Sequence, residues 1–195
     1  RPLRIFVLGE VLQPGAYSVK PSTTLFTSLY YFNGPSIDGS LRNIRLMRKN
    51  KKIIEIDFYD YLLTGKQTKD LRLQRDDVVF IPPRGKTVTI LGEIKRPAIY
   101  ELKDDEGLLD IIDISGGLPA TTYRKRIQID RILPHDVRHK SGMDRTLIDV
   151  NLSEVLNLKE NYALHDGDVV KFFEISENRS NTVSIVCHHI FQAIK

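Results

Sequence analysis

The sequence predicts an α+β fold built twice in tandem. The first observation behind this is a repeat. "VLGEVLQPGAYSV" at 7–19 is answered by "ILGEIKRPAIYEL" at 90–102, each with Leu-Gly-Glu, a Pro five residues after the Gly and a Tyr three further on. The second is a set of short apolar runs rich in β-branched residues, the signal of strands. The third is an apolar stripe in each copy, Leu25, Leu29 and Phe32 in one and Leu108, Ile111 and Ile112 in the other, at helical spacing.

Each copy then reads element by element. Arg4–Leu8 is a buried strand, and Ala16–Val19 returns beside it as a hairpin. Gln13-Pro14-Gly15 suits a type II turn, with Pro fixing φ and Gly supplying a positive φ. Tyr17 is expected to pack over the neighbouring strand or the helix beyond. In the second copy Ala98 follows Pro97, so a type I or distorted turn is expected there. The helix of copy one is capped by Ser22 or Thr23 and stopped by Asn33-Gly34. That of copy two is capped by Asp104 or Asp105, weakened by Gly107 in its first turn and ended by Gly116-Gly117. Asn43–Arg48 leads through Asn50-Lys51-Lys52 into Ile53–Asp57, a second hairpin. A short helical turn follows at Tyr59–Leu63, and "LQRDDVVFI" sets a polar turn before a last strand.

The repeat holds its offset of 83 through Leu25 and Leu108, Gly34 and Gly117, Ile44 and Ile127, and Arg48 and Arg131. Asp77 and Asp168 are 91 apart, so copy two has gained eight residues. The gain falls around Leu133–Asp144, which is polar and carries Pro and Gly. It is expected to be a projecting, mobile hairpin tip in which a helix is disfavoured. One helix across a mixed sheet is a β-grasp arrangement. The predicted organisation is a first β-grasp domain over 1–83, a second over 84–177, and a stub of a third repeat or a tail over 178–195. "TVSIV" at 182–186 echoes "TVTIL" at 87–91. Pro82–Lys86, "PPRGK", is a short rigid joint.

Composition narrows the function. Of 195 residues, 41% are hydrophobic and 28% charged, which suits a water-soluble globular chain of one or two domains. No apolar run approaches the roughly 20 residues that span a bilayer. The net charge of +4 is spread over alternating signs, so nucleic acid is not an expected partner. The single Cys187 excludes an internal disulfide. The chain opens Arg-Pro-Leu-Arg with neither an initiator Met nor a signal peptide, and reads as a piece of a longer protein.

The order of motifs resembles the soluble-ligand-binding β-grasp, or SLBB, domains of outer-membrane polysaccharide export proteins. The resemblance covers Arg4 to Glu174. It rests on Gly9, Pro14, Gly15, Tyr17, Leu25, Leu29, Gly34 and Asp77 in copy one, and on Gly92, Pro97, Tyr100, Leu108, Gly116, Gly117, Gly167 and Asp168 in copy two. These are fold residues. Asn33, Arg75-Asp76 and Ala98-Ile99 depart from the pattern. A lipoprotein Cys, an upstream export domain and a membrane-spanning helix at the C-terminus are missing, as expected for an excised periplasmic segment. The resemblance implies a non-catalytic, conduit-forming role through ring-like homo-oligomers, a periplasmic site associated with the outer membrane, and polysaccharide and other export components as partners.

The chemistry of the residues agrees with a role other than catalysis. "GxSxG", "HExxH" and a Gly-rich phosphate loop are absent, so no cofactor and no metal is expected. His135 and His139 are four apart but fall in the insertion; Cys187-His188-His189 would alternate across a strand. Asp76-Asp77 and Asp104-Asp105 sit where turns and caps need acceptors. The alternative is a soluble-ligand or glycan-binding module. Trp is absent, so any sugar stacking falls to tyrosines. Tyr30, Tyr31 and Tyr123 are expected to be exposed. Tyr31, Tyr123, Arg48 and Arg131 are the candidate glycan or partner contacts. The cations from Arg42 to Lys52, with Asp57 and Asp60 beyond, are the candidate assembly charges.

Overall fold

A computed structural model describes residues 1–65 and 70–176. It contains two five-stranded mixed sheets of the same topology. The first holds β1 (Leu3–Gly9), β2 (Gly15–Val19), β3 (Ile44–Arg48), β4 (Lys51–Ile56) and β5 (Val78–Ile81), in the order β2-β1-β5-β3-β4. The second holds β6 (Thr87–Gly92), β7 (Ile99–Glu101), β8 (Thr122–Ile132), β9 (Arg145–Val150) and β10 (Val169–Glu174), in the order β7-β6-β10-β8-β9. In each, the first and last strands are parallel and the other pairings antiparallel. The fold is α+β, two tandem β-grasp units.

The helices are α1 (Leu25–Ser28), α2 (Phe58–Thr64), α3 (Leu108–Ile114), α4 (His135–Ser141) and α5 (Leu152–Leu158). A 3₁₀ turn over Leu29–Tyr31 prolongs α1, and Leu25, Leu29 and Phe32 lie buried on Ile5, Val7, Ile44 and Val79. Leu108, Ile111 and Ile112 of α3 pack in the same way on Val88, Ile90, Ile127 and Val170. Polar residues close the helix starts, because the first amides of a helix have no partner within it. Thr24, one residue beyond the expected cap, exchanges bonds with Thr27. At α3 the cap is Gly107, whose amide bonds Asp110 at 2.8 Å. Gly107 does not merely weaken the helix: a Cβ there would stand 2.5 Å from the Tyr162 carbonyl oxygen.

Three local expectations are corrected. Gly15 has φ +153° and is already the first residue of β2, paired with Val7, so no type II turn forms at Pro14-Gly15. The hydroxyl of Tyr17 instead closes the loop by donating to the Gln13 carbonyl at 2.6 Å, and Tyr100 does the same to Arg96 at 2.7 Å. The second hairpin turns at Lys49-Asn50, both at positive φ as a two-residue hairpin loop requires, and β4 begins at Lys51. The insertion of copy two, expected to lack helix, carries α4. Its Pro134 and Gly142 punctuate the ends of that helix rather than breaking it. Pro134 sets φ −55° before the first turn, and Gly142 ends it at φ +67°. Asp136 lies near the start and Arg138, His139 and Lys140 near the end, each favourable to the helix dipole.

The expected third-repeat stub lies outside the described residues, as does Cys187-His188-His189. Among the described residues no helix is long and apolar enough to cross a membrane.

Candidate functional site: the joint between the repeats

Pro82–Lys86 does not connect the units alone. Its backbone is tied to the loop before β3, with the Ser40 amide on the Pro82 carbonyl at 2.9 Å and the Arg84 amide on the Asp38 carbonyl at 2.8 Å. Across this seam stands Arg42, whose side chain is 8% exposed. Its Nε donates to Asp57 at 2.8 Å. Its two terminal nitrogens reach both carboxylate oxygens of Glu106 at 2.7 Å, and Nη1 also donates to the Glu101 carbonyl at 3.1 Å. The guanidinium lies 4.7 Å from the centre of the Tyr59 ring. Arg42, Asp57 and Tyr59 belong to copy one; Glu101 and Glu106 belong to copy two.

The carboxylate of Glu101, at the end of β7, is the second anchor. It accepts from the Ser40 hydroxyl at 2.7 Å, the Leu41 amide at 3.0 Å and the Gly85 amide at 2.9 Å. The Glu101 amide donates to the Tyr59 hydroxyl at 3.0 Å. Asp57 has two roles, capping α2 through the Tyr59 amide and pairing with Arg42 and Lys103. Tyr59 and the partly buried Leu41 pack into the hydrophobic core of copy two. Burial pulls the Arg42 guanidinium toward the neutral form, but Glu106 and Asp57 outweigh it and hold the group charged. Burial pushes the hydroxyl of Tyr59 up, as it does that of Tyr100.

This arrangement fixes one unit against the other. A buried guanidinium with both carboxylates in place is satisfied, and deleting one partner strands a charge. Beside it runs a groove of about 410 Å³, lined by Arg45, Glu55, Lys86, Lys103 and Asp104 among others.

A buried ion pair recurs in each copy. Asp77 and Asp168 are wholly buried at the turns before β5 and β10. Asp77 accepts from the Gln74 amide at 2.7 Å and from Arg48 at 2.7 and 2.8 Å. Asp168 accepts from the His165 amide at 2.9 Å and from Arg131 at 2.7 Å. The hydrogen bonds that Arg48 and Arg131 donate to Asp77 and Asp168 raise the pKa of each guanidinium. A glycan or partner reaching Arg48 or Arg131 therefore has to share a guanidinium already held within the fold.

The other predicted residues separate. Gly9 and Gly92 sit where β1 and β6 leave their parallel neighbours, at φ +91° and +84°. Gly34, Gly116, Gly117 and Gly167 also have positive φ, while Pro14 and Pro97 lie in the loops the tyrosines close. Tyr31 is 39% and Tyr123 38% exposed, on different units. Hydrogen bonds to Thr23 and Lys20 lower the pKa of Tyr31. Tyr30 is 75% exposed beside Phe26 and Phe58. His135 and His139 share α4, yet no group of three His, Cys, Asp or Glu forms a metal cluster among the described residues.

Sequence reasoning missed Glu101, Glu106, Ser40 and Tyr59, and placed Arg42 only among generic charges. A usable signal was present. At the repeat offset Glu101 stands against Ser18 and Glu106 against Thr23. The joint lies where the copies disagree.

Two curated relatives, both named polysialic acid transport protein KpsD and both from Escherichia coli, are 27% identical to this chain over 105 residues. That stretch is 53% of this chain and only 19% of each relative. The family described as SLBB domain matches residues 4–57 and 87–143. With one matched segment in each five-stranded unit and more than half of the chain covered, the protein belongs to the SLBB domain family.

Proposed function

We propose that this chain is the periplasmic segment of a capsule or exopolysaccharide export protein, associated with the outer membrane in its full-length form. Its role is structural. It helps form a conduit through assembly with further copies and with other export components, and polysaccharide is the cargo rather than a substrate for catalysis. The observation that carries this reading is the joint. Two β-grasp units of an SLBB protein are locked by a buried Arg42 with carboxylates from both sides, which makes a stiff block suited to stacking. The name of the KpsD relatives, a transport protein for an acidic polysaccharide, supports the same direction.

The test is made in the host cell with the full-length gene. Deletion should abolish surface polysaccharide, and the intact gene should restore it. Arg42→Ala should lower surface polysaccharide and the yield of detergent-extracted oligomer together. Unchanged surface polysaccharide in the deletion strain would overturn the proposal.

A further inference from the structure

The two copies place one stretch of chain in opposite surroundings. In copy one, residues 39–43 enter the joint, and Ser40 and Arg42 are buried there. At the repeat offset the same stretch of copy two is Thr122-Tyr123-Arg124-Lys125-Arg126, the start of β8. Only Thr122 is buried; the next four residues are exposed. The sheet register explains why. Ile127 pairs with Phe172 and Thr122 with Glu174, so five steps along β8 face two along β10. The residues between are forced out of the ladder as a wide bulge.

The bulge concentrates positive charge on an aromatic base. The Arg126 guanidinium and the Lys171 ammonium each lie 5.3 Å from the centre of the Phe173 ring. Arg126 also pairs with Asp149 at 2.9 Å. Arg124 and Lys125 have no ion-pair partner among the described residues. Tyr123 adds a partly exposed ring. A second copy of this chain, docking here as copy two docks on copy one, would offer residues 18–23, Ser-Val-Lys-Pro-Ser-Thr. That stretch carries a cation and no carboxylate, so it does not complement the bulge.

We infer that Tyr123–Arg126, with Lys171 and Phe173, is a binding site for an anionic, carboxylate-bearing polysaccharide. The inference rests on the export reading and names the class of cargo. Carboxylates spaced along a sugar chain meet Arg124, Lys125 and Lys171, while Tyr123 and Phe173 present apolar ring surface to pyranose faces.

Calorimetry on the 195-residue chain tests it, with oligogalacturonate as the anionic probe and dextran of matched length as the neutral one. Oligogalacturonate should bind at low salt and weaken as salt rises; dextran should not bind. The double variant Arg124→Glu, Lys125→Glu should weaken binding by at least about tenfold with an unchanged circular dichroism spectrum. Tyr123→Ala should weaken it at a salt level that leaves the charges screened. No binding by the parent chain, or equal binding by the double variant, would overturn the inference. Tighter binding of matched poly-glutamate would overturn it in favour of an acidic protein segment. The export reading fails separately, through unchanged surface polysaccharide on gene deletion.

Discussion

At Gly9 and Gly92 the backbone passes so close to the parallel neighbour that a Cβ would stand 2.0 Å from the carbonyl oxygen of Ile81 or Phe172. Relief would require moving a central strand. Gly9→Ala or Gly92→Ala should therefore cost on the order of 2–4 kcal/mol, read from urea unfolding. A cost below about 0.5 kcal/mol, ordinary for a surface change, would refute the close approach. Repetition alone marked these glycines; their reason lies on a strand some 70 residues or more away, which no local pattern displays. Asp77 and Asp168 were legible in the same limited way, as aligned turn residues. Their partners Arg48 and Arg131 were aligned too, yet nothing in the spacing says that the pair touches. Asp168→Ala should cost about 3–5 kcal/mol, since it strands a largely buried Arg131. Tyr59 gives a pH test. Its folded value lies above the ordinary 10.0, so its contribution is full below that pH and is lost as the pH rises through the folded value. The stability gap between the parent and Tyr59→Phe should narrow at alkaline pH; a gap that widens would contradict this burial.

Among the elements, the strands and main helices were readable because period and burial agree within one short segment. Ile5 and Val7 face the core, as do Val88 and Ile90, each pair at the two-residue spacing of a strand. Turns were read less well. Gly15 went into a strand because Tyr17, not the Pro-Gly pair, closes the first loop. Lys49-Asn50 formed the second hairpin although Lys is an unusual donor of positive φ. α4 is hidden in the sequence because Pro and Gly are loop markers in general, whereas at 134 and 142 they frame a seven-residue helix. Among the described residues that helix contributes none to either core. Replacing residues 133–144 with Asn-Gly should cost less than about 1 kcal/mol in urea unfolding. A loss above roughly 2 kcal/mol would show that the insertion packs against the body.

For the whole molecule, the joint predicts cooperation between the units. The parent chain should unfold in one transition monitored by fluorescence and circular dichroism alike. Arg42→Ala should cost about 3–5 kcal/mol at the seam and split the transition in two. Coincident single transitions in both proteins would show that the joint is not what couples them. The candidate site was the least legible level, because Arg42 comes from the loop before β3 and Glu101 and Glu106 from the end of β7 and the segment after it, and they meet only after both sheets have formed.

The joint also has a grammar. Arg42 occurs only in the first unit and its partner Glu106 only in the second, while Asp57 of the first is answered by Lys103 of the second. Copying the first unit after itself would set Arg42 against Ser18 and Thr23 and leave the guanidinium without the Glu106 carboxylate. Copying the second after itself would present Lys125, Asn151 and Ser153 where Arg42, Asp57 and Tyr59 belong. The two modules are thus coded connectors, read in one order only. An exchange of their positions in the gene should yield two intact folds that no longer recognise each other, so a longer array of this kind lengthens by rewriting each junction rather than by reiterating one module.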